Sequence, residues 1–108
     1  PGVMAFAVEA PFFFGAVENF ERALASTGID PKVLIIRLRW VPFIDITGLQ
    51  TLEEVIRGLQ KRRVRVMFTG ANERVTGKLR RAGILDLIGE ENNCENLEEA
   101  LARLNEAS

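Results

Sequence analysis

Hydrophobic positions along the chain fall into two rhythms that alternate. The first is the short continuous run. "VMAFAV" (3–8), "KVLIIRL" (32–38) and "VRVMF" (64–68) read as strands, and "ILDLI" (84–88) reads as a weaker fourth. The β-branched 32–38 run suits a strand buried on both faces. The second rhythm is helical. Phe13, Ala16, Val17, Phe20 and Leu24 recur at i, i+3, i+4, i+7 and i+11, with Gly28 placed to stop that helix. Leu49, Leu52, Val55, Ile56 and Leu59 form a second amphipathic stripe. Asn72 is placed to cap a third helix carrying Val75, Leu79 and Ala82, with Gly83 just past its end. Asn96 and Glu99 resemble a capping box ahead of Leu97, Ala100, Leu101 and Leu104. The order β-α-β-α-β-α-β-α predicts an α/β fold: a mostly parallel sheet of roughly four strands, four helices and right-handed crossovers.

Composition narrows the function more than the fold. The chain has 108 residues, 47% of them hydrophobic, which suits one domain with one core spanning 1–108. No apolar run approaches the roughly 20 residues of a membrane helix, and no signal-peptide pattern is present. The isolated domain is therefore expected to be soluble. One cysteine, Cys94, rules out an internal disulfide framework. The lack of histidine removes the commonest general base and metal ligand, and no cluster has metal-ligand spacing, so no metal site is expected. The start, Pro1-Gly2-Val3, reads as a piece of a longer polypeptide or a tag scar. The net charge of −1 conceals a split. Residues 1–56 sum to −3, residues 57–81 to +8 and residues 82–108 to −6. Such a split marks either an interaction face or solvated faces that neutralise each other.

The chemistry-bearing candidate is "FIDITGLQ" (43–50), where the second apolar run gives way to the second helix. Thr47 and Gln50 match the S/T-x-x-E/Q capping box, which makes Thr47 the expected N-cap. Gly48 would ease the passage from strand to helix, and Asp45 would meet a favourable dipole. The corner lies at the carboxyl end of a central strand, where open α/β sheets meet ligands and partners. Catalysis is disfavoured because Asp45 and Thr47 lack a base. "GANERVTGK" (70–78) is not a phosphate loop. Six residues separate Gly70 from Gly77-Lys78 where four are required, and Leu79 stands where Ser or Thr should be. Arg74, Lys78 and Arg81 recur at i, i+4 and i+7 and share one face, which suits phosphates, anionic lipid headgroups or an acidic protein. Nucleic acid is disfavoured, since no aromatic residue interleaves with these cations. Trp40, Phe43 and the run Pro11-Phe12-Phe13-Phe14-Gly15 carry large apolar side chains that either cover the core or meet a partner.

"VLIIRLRWVPFIDITGLQTLEEVI" resembles the signature of STAS domains, a strand followed by Asp-x-[Ser/Thr]-Gly-[Leu/Ile] and a helix. "RAGILDLIG" (81–89) is similar to the family's late segment before the last strand. "EAPFFFGAVENFERAL" (9–24) is similar to the opening of the STAS domains at the cytoplasmic C-terminus of SulP anion (sulfate) transporters. The resemblance implies a non-catalytic regulatory domain on the cytoplasmic face of the inner (plasma) membrane. It would support assembly or control of transport. Its partner would be the transmembrane domain of its own transporter, with Phe43, Asp45, Ile46, Thr47, Gly48 and Leu49 as the contact loop. Arg74, Lys78 and Arg81 would then face an acidic soluble protein or an anionic lipid. Some members are proposed to bind nucleotides, but no motif here supports that, and no cofactor is expected. The alternative is a free-standing anti-sigma factor antagonist. Those are switched by phosphorylation of the hydroxyl residue after the aspartate, a position held here by Ile46.

Overall fold

The computed structural model describes residues 3–7 and 31–107. Four strands, β1 (Val3–Ala7), β2 (Val33–Arg37), β3 (Arg65–Thr69) and β4 (Asn93–Cys94), form one sheet in the order β1-β2-β3-β4. Every pairing is parallel; Val33 aligns with Val3 on one side and with Arg65 on the other. The described helices are α1 (Ile46–Lys61), α2 (Glu73–Arg81), α3 (Ile84–Ile88) and α4 (Leu97–Ala107), with a 3₁₀ turn at Glu90–Asn92. The helix expected over 13–24, its stop at Gly28 and the Phe12–Phe14 run lie outside the described residues.

Strand alternation divides the core. Leu34, Ile36, Val66 and Phe68 point to the side covered by α1, α2 and α3, where Leu52, Ile56, Val75, Leu79 and Leu85 meet them. Ile35 and Met67 point to the other side and pack against Cys94 and α4 through Ala100, Leu97 and Leu104. β2 is thus buried on both faces, as its unbroken apolar run predicts.

Two expectations fail for identifiable reasons. Residues 84–88 form a helix instead of the fourth strand. As a strand, "ILDLI" would put Asp86 on the same face as Ile84 and Ile88. As a helix it buries Ile84, Leu85 and Ile88 together and leaves Asp86 in solvent. Gly83, left-handed at φ 79°, ends α2 as expected and lets the new helix start at once. The last strand falls later, at Asn93–Cys94. The second failure concerns the cap of α1. Asp45, not Thr47, is the N-cap: its Oδ1 accepts the Gly48 N–H at 2.8 Å. An aspartate two residues earlier already occupies the extended N-cap position (φ −97°, ψ 179°), so Thr47 falls inside the first turn. The other caps match expectation. Asn72 Oδ1 accepts the Val75 N–H at 2.7 Å, and Asn96 Oδ1 accepts the Glu99 N–H at 2.8 Å. Glu99 reaches back to the Glu95 N–H (3.2 Å), one residue outside the usual box.

Candidate functional site at the carboxyl edge of the sheet

Between β2 and α1 the chain follows a three-residue beat. Leu38, Val41 and Ile44 are all buried, so they nail this irregular segment to the core. Two residues after each nail, Trp40, Phe43 and Ile46 stand out at 44%, 45% and 71% exposure. Three large apolar side chains this exposed within seven residues make the corner the candidate contact surface. Trp40 is flanked by the Arg37 and Arg39 guanidiniums at 5.3 and 5.8 Å from its ring centre, within cation–π range.

Neighbouring strand ends hold this segment in place. Leu38 N–H donates to Thr69 O at 2.8 Å, tying it to the end of β3. Asn72, besides capping α2, donates from Nδ2 to Pro42 O at 3.1 Å. Gly70, left-handed at φ 75°, lies directly under the Arg39 backbone.

The six corner residues expected to meet a partner are not equivalent. Phe43, Ile46 and Thr47 face solvent. Asp45 is exposed but spends one carboxylate oxygen on the helix cap. Gly48 is buried; a Cβ there would stand 3.0 Å from Ile44 Cγ1 and 3.2 Å from Asp45 Oδ1. Its role is therefore close approach within the first turn of α1, not a special turn conformation. Leu49 is half-buried and packs on the core. Of the basic trio on α2, Arg74 and Arg81 are exposed and Lys78 is half-buried. Arg74 lies in the first turn, next to the Asn72 clamp on Pro42.

Asp45→Ala removes the acceptor for Gly48 N–H and is expected to cost about 1 kcal/mol, whereas Thr47→Ala leaves stability unchanged within error. Urea unfolding of the two variants checks this; equal losses would restore Thr47 as the cap.

Sequence reasoning missed a second feature, at the far end of α2. Arg80 donates from Nε and Nη2 to the two Glu90 carboxylate oxygens, both at 3.1 Å. That hydrogen-bonded pairing holds the Glu90 carboxyl below its usual value and raises Arg80. Both groups are exposed, so the pair adds little to stability. Beside it lies an open cleft of about 340 Å³ bounded by Thr76, Arg80 and Asn93, whose Oδ1 is buried with no hydrogen-bond partner among the described residues. No local pattern could have revealed it, because α3 and its flanking turns separate Arg80 from Glu90 and Asn93.

Cys94 closes the inner wall. Its buried thiol donates weakly to Glu91 O, and burial pushes its pKa above the ordinary value. The unfolded thiol therefore ionises first as pH rises. Stability is fully present below the ordinary thiol value of about 8.5 and falls above it, by up to about 1.4 kcal/mol per pH unit. Thermal midpoints measured from pH 8 upward should decline more steeply for the native chain than for Cys94→Ala; parallel curves would contradict this.

Among the described residues, no group of three or more Cys, Asp or Glu is placed to hold a metal, and no helix is long and apolar enough to cross a membrane. The profile of the STAS domain family matches residues 1–100. The chain belongs to the STAS domain family. The STAS domain of a SulP transporter from Vibrio cholerae is 50% identical, with a TM-score of 0.89 over 98% of this chain and 84% of that one. Sulfate transporter 1.2 of Arabidopsis thaliana is 27% identical over 104 residues, 85% of this chain. RsbS of Moorella thermoacetica is 26% identical, with a TM-score of 0.74 over 95% of this chain and 90% of that one. This STAS domain spans only 17% and 16% of the two curated relatives it matches.

Proposed function

We propose that this STAS domain is the non-catalytic regulatory domain of a SulP-type anion transporter, a single unit within a longer membrane protein. It lies on the cytoplasmic face of the membrane and acts through protein contacts with the transmembrane part. The observation that carries this reading is the corner itself. Its acid and glycine are committed to folding α1, while Trp40, Phe43 and Ile46 are held outward on a rigid base. A surface of that kind suits docking rather than turnover. The 50% identity to a SulP transporter STAS domain supports the setting. No cofactor is assigned.

The native protein, probed with an antibody against this domain, should pellet with membranes at a mass several times that of a 108-residue chain. A soluble band at the chain's own mass would overturn the reading. In the full-length protein, Ile46→Asp should cut transport or assembly by tenfold or more without lowering the domain's thermal midpoint.

A second reading, a free-standing partner-switching protein, is favoured by the likeness to RsbS and by Thr47. Its hydroxyl is exposed, and Asp45, not Thr47, caps the helix. The soluble band described above would select it.

A further inference from the structure

A second basic cluster lies at the opposite, amino edge of the sheet. There α1 ends in a doubly bonded turn: Arg63 N–H donates to Gln60 O at 3.0 Å and Val64 N–H to Leu59 O at 2.9 Å. Leu59 and Val64, its two apolar ends, are both buried. This Schellman closure requires its penultimate residue to be left-handed, a place usually taken by glycine or asparagine. Here it is Arg63, at φ 62°, the one non-glycine with positive φ among the described residues. An L-residue with a long side chain is strained there, and such strain persists where something else retains the residue.

Folding does not account for that something. Cations at a helix carboxyl end offset its dipole, but Lys61 and Arg62 already stand there. Glycine at 63 would keep the turn. What arginine adds is charge on an exposed edge. Lys61, Arg62 and Arg63 are all exposed, and so is Lys32. Lys32 O accepts the Arg65 N–H at 2.9 Å, which sets Lys32 beside Val64 at one strand spacing, about 4.8 Å. Among the described residues, Lys32, Lys61 and Arg63 form no ion pair; Glu53 is taken by Arg57, Glu90 by Arg80 and Glu99 by Arg103. The exposed aromatics among the described residues, Trp40 and Phe43, stand at the opposite, carboxyl edge.

We infer that Lys32 and the Lys61–Arg63 turn dock this edge against anionic phospholipid headgroups. Lys32, Lys61 and Arg63, exposed and without an ion pair or a stacking ring among the described residues, suit a sheet of phosphates better than single-stranded nucleic acid. A long polyanion would also meet the −6 charge of residues 82–108, whereas a planar surface touches one edge only. The inference rests on the transporter reading for its setting. β1 shares this edge: Val3, its first residue, pairs with Val33 next to Lys32.

The test is co-sedimentation of the 108-residue chain with phosphatidylglycerol–phosphatidylcholine vesicles and with phosphatidylcholine alone. Binding is expected only to the anionic vesicles and should disappear at high salt. Each cation near such a surface contributes roughly fivefold. Arg63→Gly should therefore weaken binding about fivefold without lowering the thermal midpoint, a combination that a purely structural role would not produce. The double variant Lys32→Glu, Lys61→Glu should lose more than tenfold. Equal binding to neutral vesicles would overturn the inference. So would variants that bind like the native chain, including the case where Arg74→Glu abolishes binding instead. Capture of a polyglutamate peptide without capture of vesicles would also overturn it, and would point to an acidic protein. Protein-free vesicles make failure here separable from failure of the transporter reading, which depends on the native protein's mass.

Discussion

Replacing Phe68 with alanine is expected to lower the unfolding free energy by about 3–5 kcal/mol. Phe68 is fully buried in β3, aligned with Ile36 of β2 on one side and Asn93 of β4 on the other. Its ring belongs to the cluster that includes Val75, Leu79 and Leu85, so truncation opens a hole that the helices over this face must refill. A domain of this size has about 5–15 kcal/mol in total, so the loss is about a fifth or more of its stability. Thr69 follows directly, and its carbonyl anchors Leu38 at the start of the exposed corner. The corner should therefore loosen with the core. Phe68→Leu, which keeps most of the volume, should cost less than about 1.5 kcal/mol. Urea titrations with unchanged slope and a shifted midpoint would confirm the first effect. A loss under 1 kcal/mol for Phe68→Ala would show that the helices collapse onto β3 freely.

Much of this architecture was legible because its signals are local. Asn72, Gly83 and Asn96 mark helix ends through their own backbone preferences, and the 32–38 run declares a strand buried twice. The failures share one cause: a local pattern that fitted two outcomes, decided by distant packing. "ILDLI" reads as a short apolar run like a strand, yet Asp86 interrupts it, and the helix keeps that side chain in solvent. Thr47–Gln50 is a sound capping box, but Asp45 offered an equally good cap one half-turn earlier. At the candidate site, the six corner residues could be named from the chain, but not which of them face out. That follows from the buried nails Leu38, Val41 and Ile44, visible only once β3 and α2 are in place. The Arg80–Glu90 pair and the left-handed Arg63 left no signal, because each depends on where a turn returns the chain.

Gly70→Ala is expected to reach the corner without touching it. Gly70 follows β3 at φ 75°, and its N–H donates to Cys94 O at 3.2 Å, joining it to β4. A Cβ there would stand 3.1 Å from Arg39 Cβ, 3.2 Å from Arg39 Cα and 3.3 Å from Arg39 N. Two of those atoms are backbone and cannot rotate away, so the segment carrying Trp40 must move. Left-handed strain of about 1–2 kcal/mol adds to the crowding, for a total loss of about 2–3 kcal/mol. Gly58→Ala is the contrast: nothing lies within 4 Å of its Cβ position inside α1, so better helix propensity should stabilise it by up to about 1 kcal/mol. Trp40 is the chain's one tryptophan and there is no tyrosine, so intrinsic fluorescence reads this corner directly. Gly70→Ala should change Trp40 emission in the fully folded protein, because the ring shifts relative to the Arg37 and Arg39 guanidiniums. It should also weaken whatever docks on Phe43 and Ile46. Unchanged emission at native stability would mean that the corner yields without cost. The apolar patch would then be a mobile surface and not the rigid docking face that its buried anchors imply.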